Sequence, residues 1–278
     1  MPAVSTAELV LAARTSGHGV AAFNVITLEH AEAITTAAER TGLPVILQIS
    51  ENTVAFHGGR PEPLLAGAAA LAARALVPVA LHLDHIEDED LLRAAIAAGA
   101  TSVMFDASRL PYEDNVGSTA RITAWAHDHG VWVEAELGEV GGKDGAHAPG
   151  VRTDPAQAAA FTAATGVDAL AVAVGSSHAM TERTASLDLG LISQLRAAVD
   201  VPLVLHGSSG VPDAELRRAI TAGMVKINIG TSLNLAFTTA VRDHLTADTA
   251  LVDPRRYLRP ARDAMTAAAS HLLQLVAG

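Results

Sequence analysis

The chain has 278 residues, 50% of them hydrophobic, and its 30 acidic against 19 basic side chains give a formal charge of −11. This acidic excess argues against nucleic acid or an anionic membrane as a partner. Cysteine is absent, which excludes disulfide bonds and thiolate metal ligands. Because the chain shows no basic and apolar leader and no apolar run of about 18 residues, we expect a cytoplasmic protein.

Short β-branched runs alternate with alanine-rich stretches along the whole chain. The runs predict eight strands, at residues 20–24, 45–50, 79–83, 102–106, 131–136, 169–173, 201–206 and 225–229. Between them, helices are predicted near 28–41, 62–76, 88–98, 113–128, 155–165, 188–199, 212–221 and 231–246, with a leading helix near 6–15 and a trailing pair after Pro254. Eight βα units predict an α/β fold, a (β/α)8 TIM barrel with extra N- and C-terminal helices, as a single domain over residues 1–278.

The longest predicted loop covers residues 138–152 and follows the fifth strand. It is rich in glycine, and a loop of this length on the catalytic face of a barrel is typical of a mobile lid. We therefore expect this loop to contribute to the active site.

Three histidines, His85, His178 and His206, stand at or just past the ends of predicted strands. A barrel gathers the carboxyl ends of its strands into one ring, so these residues can meet there. Three protein ligands leave a coordination position open, which is typical of a catalytic zinc site. Each histidine alone would more often be a hydrogen-bonded structural residue. His82, two residues before Asp84 on the same strand face, is expected in a deeper layer of the barrel.

Further polar residues lie at the same strand ends, and Asp84 is the most informative of them. It directly precedes His85, and a carboxylate beside a polarised carbonyl could move the proton of an alcohol. The alternative is a solvated strand-end acid or a helix cap. Burying many polar groups without a ligand would be costly, so the set indicates an active site; its other members are Asn24, Ser50, Asp106, Glu134, Glu136 and Asn228.

Two glycine-bearing segments follow the seventh and eighth strands. They read Gly207-Ser208-Ser209-Gly210 and Asn228-Ile229-Gly230-Thr231-Ser232. In TIM barrels the loops at these positions frequently bind phosphate through backbone N–H groups and a helix N-terminus. Because the chain is acidic overall, such a site would depend on local dipoles and a few basic residues.

Several ordered motifs span the chain almost from end to end. They are Ala22-Phe23-Asn24, His82-Leu83-Asp84-His85, Ser102 to Ser108, Val133 to Gly138, Ala171 to His178, Leu205 to Gly210, Lys226-Ile227-Asn228 and Asp253-Pro254-Arg255. In this order they resemble the class II, metal-dependent fructose-bisphosphate and tagatose-bisphosphate aldolase family. The resemblance implies that His85, His178 and His206 bind a catalytic Zn²⁺ and that Asp84 is the proton donor to the aldehyde oxygen.

The same resemblance implies a substrate site. The phosphate of dihydroxyacetone phosphate would lie among Gly207, Ser208, Ser209, Asn228, Ile229, Gly230 and Thr231, with Asn24 and Ala179 also binding substrate. Asp106 and Glu136 match positions that can hold a second divalent ion or a monovalent cation. Arg255 matches an arginine that grips the distal phosphate of a bisphosphate, and Ser50 could help it.

Three residues depart from the family pattern. Gly141-Gly142-Lys143-Asp144-Gly145 places Asp144 where the family has a glutamate as the base for the C1 proton of the donor, and aspartate is one methylene shorter. Ala179 replaces a glycine behind His178, where the backbone should approach phosphate. Gly230 stands where fructose-type enzymes often carry aspartate, which is closer to the tagatose type. These departures leave metal binding intact and the substrate open.

The first hypothesis is a zinc-dependent aldolase that reversibly cleaves a ketose 1,6-bisphosphate, of tagatose or fructose type, to dihydroxyacetone phosphate and an aldehyde such as glyceraldehyde 3-phosphate. A second is the same mechanism on another ketose 1-phosphate or a specialised sugar, and a third is a non-catalytic barrel that binds sugar phosphate. A homodimer or homotetramer is also expected, because the C-terminal segment carries alanine on more than one face; packing on the chain's own barrel is the alternative. These alanines are Ala261, Ala264, Ala267, Ala268 and Ala269.

Overall fold

A computed structural model of the chain, which describes residues 3–137 and 151–278, contains eight parallel strands that close into a barrel in sequence order. The strands are β1 (Val20–Asn24), β2 (Val45–Ser50), β3 (Val79–Ile86), β4 (Ser102–Phe105), β5 (Trp132–Leu137), β6 (Ala169–Val172), β7 (Leu203–Leu205) and β8 (Met224–Ile229). The prediction of a TIM barrel is confirmed.

Helices surround this barrel, and the first of them packs against its amino end. They are α1 (Thr6–Ser16), α2 (Leu28–Thr41), α3 (Glu51–Phe56), α4 (Glu62–Arg74), α5 (Glu89–Ala97), α6 (Tyr112–Asp128), α7 (Pro155–Thr165), α8 (Leu189–Ala198), α9 (Asp213–Ala222), α10 (Thr231–Ala247) and α11 (Pro254–Ala277), with a 3₁₀ turn at Ser208–Gly210. None of the described helices is both long and apolar enough to span a bilayer.

The predicted pair of C-terminal helices was wrong, because α11 is one helix of 24 residues that runs through Pro260. A proline inside a helix costs about 3 kcal/mol. After Pro260, α11 buries Met265, Leu272 and Leu273 while packing against α2 and α10. This burial offsets the proline, since one large apolar side chain contributes about 1.5–3 kcal/mol.

The short helix α3 was not predicted. Six residues are too few for an apolar period to show, and the helix is stabilised locally by Ser50, whose Oγ accepts a hydrogen bond from Thr53 N at 3.3 Å. The helix follows β2 directly, so it lies at the carboxyl end of the barrel.

The barrel interior is apolar at its amino end and polar at its carboxyl end. The apolar layer includes Val20, Ile46 and Ala80, and α1 packs against it with Leu9 and Val10. Above this layer, successive inward positions of the strands carry buried polar groups: Gln48, His82, Asp84, Glu134, Glu136, Lys226 and Asn228. This change of polarity along the barrel axis places the polar groups at the end where barrel enzymes hold their active sites.

Candidate active site

A cavity of about 670 Å³ opens at the carboxyl end of the barrel. Most of the predicted site residues line it, so the strand ends bring them together. The predicted residues in its wall are Asn24, Ser50, Asp84, His85, His178, Ala179, Gly207, Ser209, Asn228, Gly230 and Thr231.

A group of metal-ligand side chains lies at this cavity. His85, Glu136, His178 and His206 each offer one ligand atom, and these four atoms all lie within 4.8 Å of one another. Three imidazoles and a carboxylate are a donor set that suits zinc. The sequence prediction assigned Glu136 to a second metal, whereas the structure groups it with the three histidines.

The backbone at His85 explains how two successive residues reach the same cavity. β3 continues to Ile86, and neighbouring side chains of a regular strand point to opposite faces. At His85 φ is +51°, and the register with β4 shifts between Leu83 and Ile86. Such an irregularity re-aims a side chain and is common beside active sites. Asp84 and His85 therefore both line the cavity.

Asp106 orients His85. The Oδ2 atom of Asp106 lies 2.7 Å from Nδ1 of His85, and its Oδ1 atom accepts hydrogen bonds from the backbone N and Oγ of Ser108 at 3.2 and 2.6 Å. A carboxylate on one ring nitrogen leaves the other for a metal. Asp106 was predicted as a ligand of a second ion, and in the structure its carboxylate lies outside the group of four ligands.

His206 lies between two glutamates in the barrel interior. Its Nε2 is 3.0 Å from Glu134 Oε1 and its Nδ1 is 2.9 Å from Glu136 Oε2, and the ring is fully buried. Burial alone would lower the pKa of His206, but hydrogen bonds to Glu134 and Glu136 raise this pKa above its usual range. Because a metal binds only an unprotonated ring nitrogen, zinc binding on the side of Glu136 would compete with a proton there.

Asp84 is a buried carboxylate held by three amides. Its Oδ1 accepts from Asn228 Nδ2 at 3.3 Å, and its Oδ2 lies 3.4 Å from Gln48 Nε2 and 3.5 Å from Asn24 Nδ2. Burial raises the pKa of Asp84, but the nearby charges of His85, Lys226, His206 and His82 together lower it by more. The carboxylate is therefore ionised at neutral pH and able to accept a proton.

The two glycine-bearing loops meet at the N-terminus of α10. The cap residue is Gly230, and the first helical residue, Thr231, lines the cavity together with Asn234. Gly207 has φ +65°, and a Cβ there would lie 2.5 Å from the carbonyl oxygen of Ser177. The N-terminus of a helix is suited to an anion. Here Ser232 N donates to Ser209 Oγ at 3.1 Å, and both Ser209 and Thr231 line the cavity, so this part of the cavity can hold phosphate.

Two predicted substrate-binding residues support these loops with their side chains. Ser208 is buried and its Oγ donates to the backbone oxygen of Asn228, which joins the loop after β7 to β8. Ile229 is buried in the apolar core. Neither lines the cavity.

Of the other two predicted site residues, one does not line the cavity and one cannot be placed relative to it. The Arg255 side chain is 85% exposed, pairs with Asp253 at 2.9 Å and does not line the cavity. Asp144 and most of the predicted lid lie outside the described residues.

Sequence analysis missed several residues of the cavity wall. Gln48 lies two positions before Ser50, on the same strand face, so strand alternation could have found it. Arg109, Glu87 and Asn234 lie in loops or in a helix, where no short-range pattern marks them. His82 was predicted to be structural, and it is indeed buried, with Nδ1 2.9 Å from Ser102 Oγ.

Ala179, where the family resemblance leads us to expect glycine, has a left-handed backbone with φ +58°. A Cβ in this conformation costs about 1–2 kcal/mol. The residue is exposed, so its methyl group gains little from packing. The backbone thus retains the conformation that suits glycine although the side chain has changed.

We expect Ala179→Gly to raise the free energy of unfolding by up to about 1 kcal/mol, because relief of the left-handed strain exceeds the entropic cost of about 0.4–1 kcal/mol that glycine adds. Urea denaturation measures the change. The matched control is Ala12→Gly at an exposed position of α1, which should lower stability by about 1 kcal/mol. Equal losses in both variants would contradict the assignment of strain to Ala179.

Comparisons with known proteins agree with this geometry. The family described as "Fructose-bisphosphate aldolase class-II" matches residues 4–277. The chain is 42% identical to a "Probable fructose-bisphosphate aldolase" of Bacillus subtilis over 95% of this chain and 94% of that protein, and 39% identical to a "Fructose-bisphosphate aldolase" of Staphylococcus aureus over the same shares. The crystal structure of the YdjI aldolase from Escherichia coli K12 superposes with a TM-score of 0.87 at 33% identity, covering 99% of this chain and 97% of that one. The chain therefore belongs to the class-II fructose-bisphosphate aldolase family.

Proposed function

We propose that the chain is a single-domain, zinc-dependent aldolase that reversibly cleaves a ketose 1,6-bisphosphate, of tagatose or fructose type, to dihydroxyacetone phosphate and an aldehyde such as glyceraldehyde 3-phosphate. One observation carries the proposal. The metal-ligand group, the carboxylate of Asp84 and the N-terminus of α10 adjoin a single cavity. Metal, proton acceptor and phosphate site are the parts that a metal-assisted retro-aldol cleavage needs.

His85, His178 and His206 would hold the zinc ion, with Glu136 beside them. When bound, the ion supplies Lewis acidity that polarises the ketone carbonyl of the substrate. These residues fit a zinc ion because they form a suitable donor set and because neighbouring carboxylates fix two of the imidazole rings. Asp106 contacts one ring nitrogen of His85, and Glu134 contacts one ring nitrogen of His206. Such partners orient a metal-ligating histidine.

Asp84 would move the proton at the C4 hydroxyl. In cleavage the ionised carboxylate accepts this proton, and in condensation it returns the proton to the aldehyde oxygen. Its hydrogen bonds to Asn228, Gln48 and Asn24 keep the carboxylate in one place. Asp144 is proposed, on the family resemblance alone, as the base for the C1 proton.

The position of Arg109 is evidence for a second anionic group on the substrate. Among the described residues that line the cavity, it is the one lysine or arginine. It follows β4 three residues after Asp106, and its Nη1 lies 3.7 Å from Glu87 Oε1. The phosphate of the donor half would lie at the N-terminus of α10, so we assign the distal phosphate of a bisphosphate to Arg109.

We expect Asp84→Asn to lower kcat for production of dihydroxyacetone phosphate by about 10²–10⁴-fold, because an amide cannot accept the C4 proton. A coupled assay with fructose and tagatose 1,6-bisphosphates measures the rate, and chelation of the metal should also abolish it. The control Asp243→Asn, at an exposed position of α10, should keep full activity. Zinc and sugar-phosphate binding without any product in the unmodified protein would instead favour the non-catalytic barrel.

We expect the unmodified protein to cleave a ketose 1,6-bisphosphate faster than the matching ketose 1-phosphate, and Arg109→Ala to reduce this preference about tenfold. The reason is the loss of one charge-assisted hydrogen bond to the distal phosphate, worth about 1.5–3 kcal/mol when well formed. The ratio of kcat/KM values for the two substrates measures it, and Arg60→Ala, outside the cavity, is the control. Equal rates on both substrates would favour the alternative, a ketose 1-phosphate or specialised sugar as substrate.

Assembly into a homodimer or homotetramer is a further part of the proposal. Of the alanines that suggested it, Ala261 and Ala269 are buried against the chain's own helices, whereas Ala264 and Ala268 are only half-buried. The molar mass in solution tests the assembly, and a monomeric mass would overturn it.

A further inference from the structure

Lys226 is a fully buried lysine inside the barrel, two residues before Asn228 on β8. Its Nζ donates to Glu134 Oε2 at 2.8 Å and to Asn228 Oδ1 at 2.8 Å. A buried ammonium is costly unless it is paired and hydrogen-bonded. Both partners of Lys226 in turn contact residues of the active site.

The first contact leads to the metal ligand His206. A carboxylate paired with a buried ammonium is ionised, and an ionised carboxylate only accepts hydrogen bonds. Glu134 Oε1 lies 3.0 Å from His206 Nε2, so this nitrogen must be the donor. The proton of the neutral imidazole is thereby held on Nε2, and Nδ1, which faces Glu136 at 2.9 Å, carries the lone pair for a metal.

The second contact leads to Asp84. Lysine donates and never accepts, so the oxygen of the Asn228 amide must face Lys226. The amide nitrogen then points the other way and donates to Asp84 Oδ1 at 3.3 Å. Without Lys226 the Asn228 amide could rotate by 180° and present its oxygen to the carboxylate, which would repel it.

We propose that Lys226 is a positioning residue that acts from beneath the active site on both of its parts: through Glu134 it sets the proton and ring orientation of His206, and through Asn228 it holds Asp84. The part of this inference that concerns Asp84 rests on the proposed function. The part that concerns His206, which we call the arm toward His206, depends on metal binding alone. A lysine that merely neutralises Glu134 would show no coupling to Asn228.

Two double variants separate these roles without leaving a lone buried charge. Lys226→Met with Glu134→Gln removes both charges and keeps an oxygen that can accept from His206 Nε2. Lys226→Met with Glu134→Met removes both charges and the acceptor. Ile46→Val, in the apolar part of the same interior, controls for a small loss of stability, and thermal unfolding of each variant checks that it folds.

Zinc affinity, measured by competition with a chromogenic chelator, is the first readout. We expect the variant with Lys226→Met and Glu134→Gln (the Met/Gln variant) to bind zinc with an affinity within about threefold of that of the unmodified protein. The Met/Met variant should bind it roughly 10–100-fold more weakly, because it lacks the group that orients His206. Equal zinc affinities in the two variants would overturn this arm.

The second readout is the coupling between Lys226 and Asn228. We expect the Met/Gln variant to lose kcat at least tenfold with little change in KM. Asn228→Ala should lower kcat less in that background than in the unmodified protein, since residues that act through one another are not additive. An additive effect of Asn228→Ala would overturn the arm toward Asp84. If the unmodified protein shows no turnover at all, the proposed function fails while the zinc measurement still stands.

A measurement on the unmodified protein decides the matter if either double variant does not fold. Long-range ¹H–¹⁵N correlation spectra of the zinc-loaded protein report the tautomer of each histidine. The proton of His206 is expected on Nε2, and a proton on Nδ1 would contradict the proposal.

Discussion

The ion pair between Lys226 and Glu134 is the interaction on which the site depends. Both side chains are fully buried, and removing one partner of such a pair costs about 3–5 kcal/mol because the other charge is left unpaired. The pair therefore constrains everything that touches it. His206, Asn228 and, through Asn228, Asp84 are held in one arrangement before any substrate enters. Fixed charges and dipoles need no rearrangement during the reaction, which is the advantage of preorganisation.

Much of the fold could be predicted from the sequence because each strand carries its own signal. Strand alternation, eight times repeated, determines which residues face the barrel interior, and strand ends determine which of these lie at the catalytic face. Asn24, Asp84 and Asn228 were found in this way. Which inner residues contact one another was not predictable, because Lys226 meets Glu134 only through the stagger of strands that are not neighbours in the barrel.

Local exceptions account for the other differences. The left-handed backbone at His85 depends on the shifted register between β3 and β4, and no sequence pattern of a single strand encodes a register. The continuation of α11 through Pro260 depends on packing against α2, so tertiary contacts override the local preference. Arg255 was assigned by resemblance, and within one chain its exposed position beside Asp253 keeps it away from the cavity.

The two ends of the cavity differ in the groups they present, and this difference bears on substrate specificity. One end presents backbone groups and the other presents charged side chains. At the N-terminus of α10 the protein offers backbone groups, and Gly230 leaves room there: a Cβ would lie 3.2 Å from Asn24 Oδ1. An aspartate at this position would press on Asn24, which accepts from Gln48 at 2.8 Å and adjoins Asp84. Gly230 thus keeps the amides around Asp84 undisturbed.

At the other end of the cavity, Arg109 and Glu87 present long side chains from the loops after β4 and β3. Because loops vary without disturbing the buried ion pair, the end of the cavity that we propose for the aldehyde can change in this fold while the four grouped metal-ligand side chains stay constant.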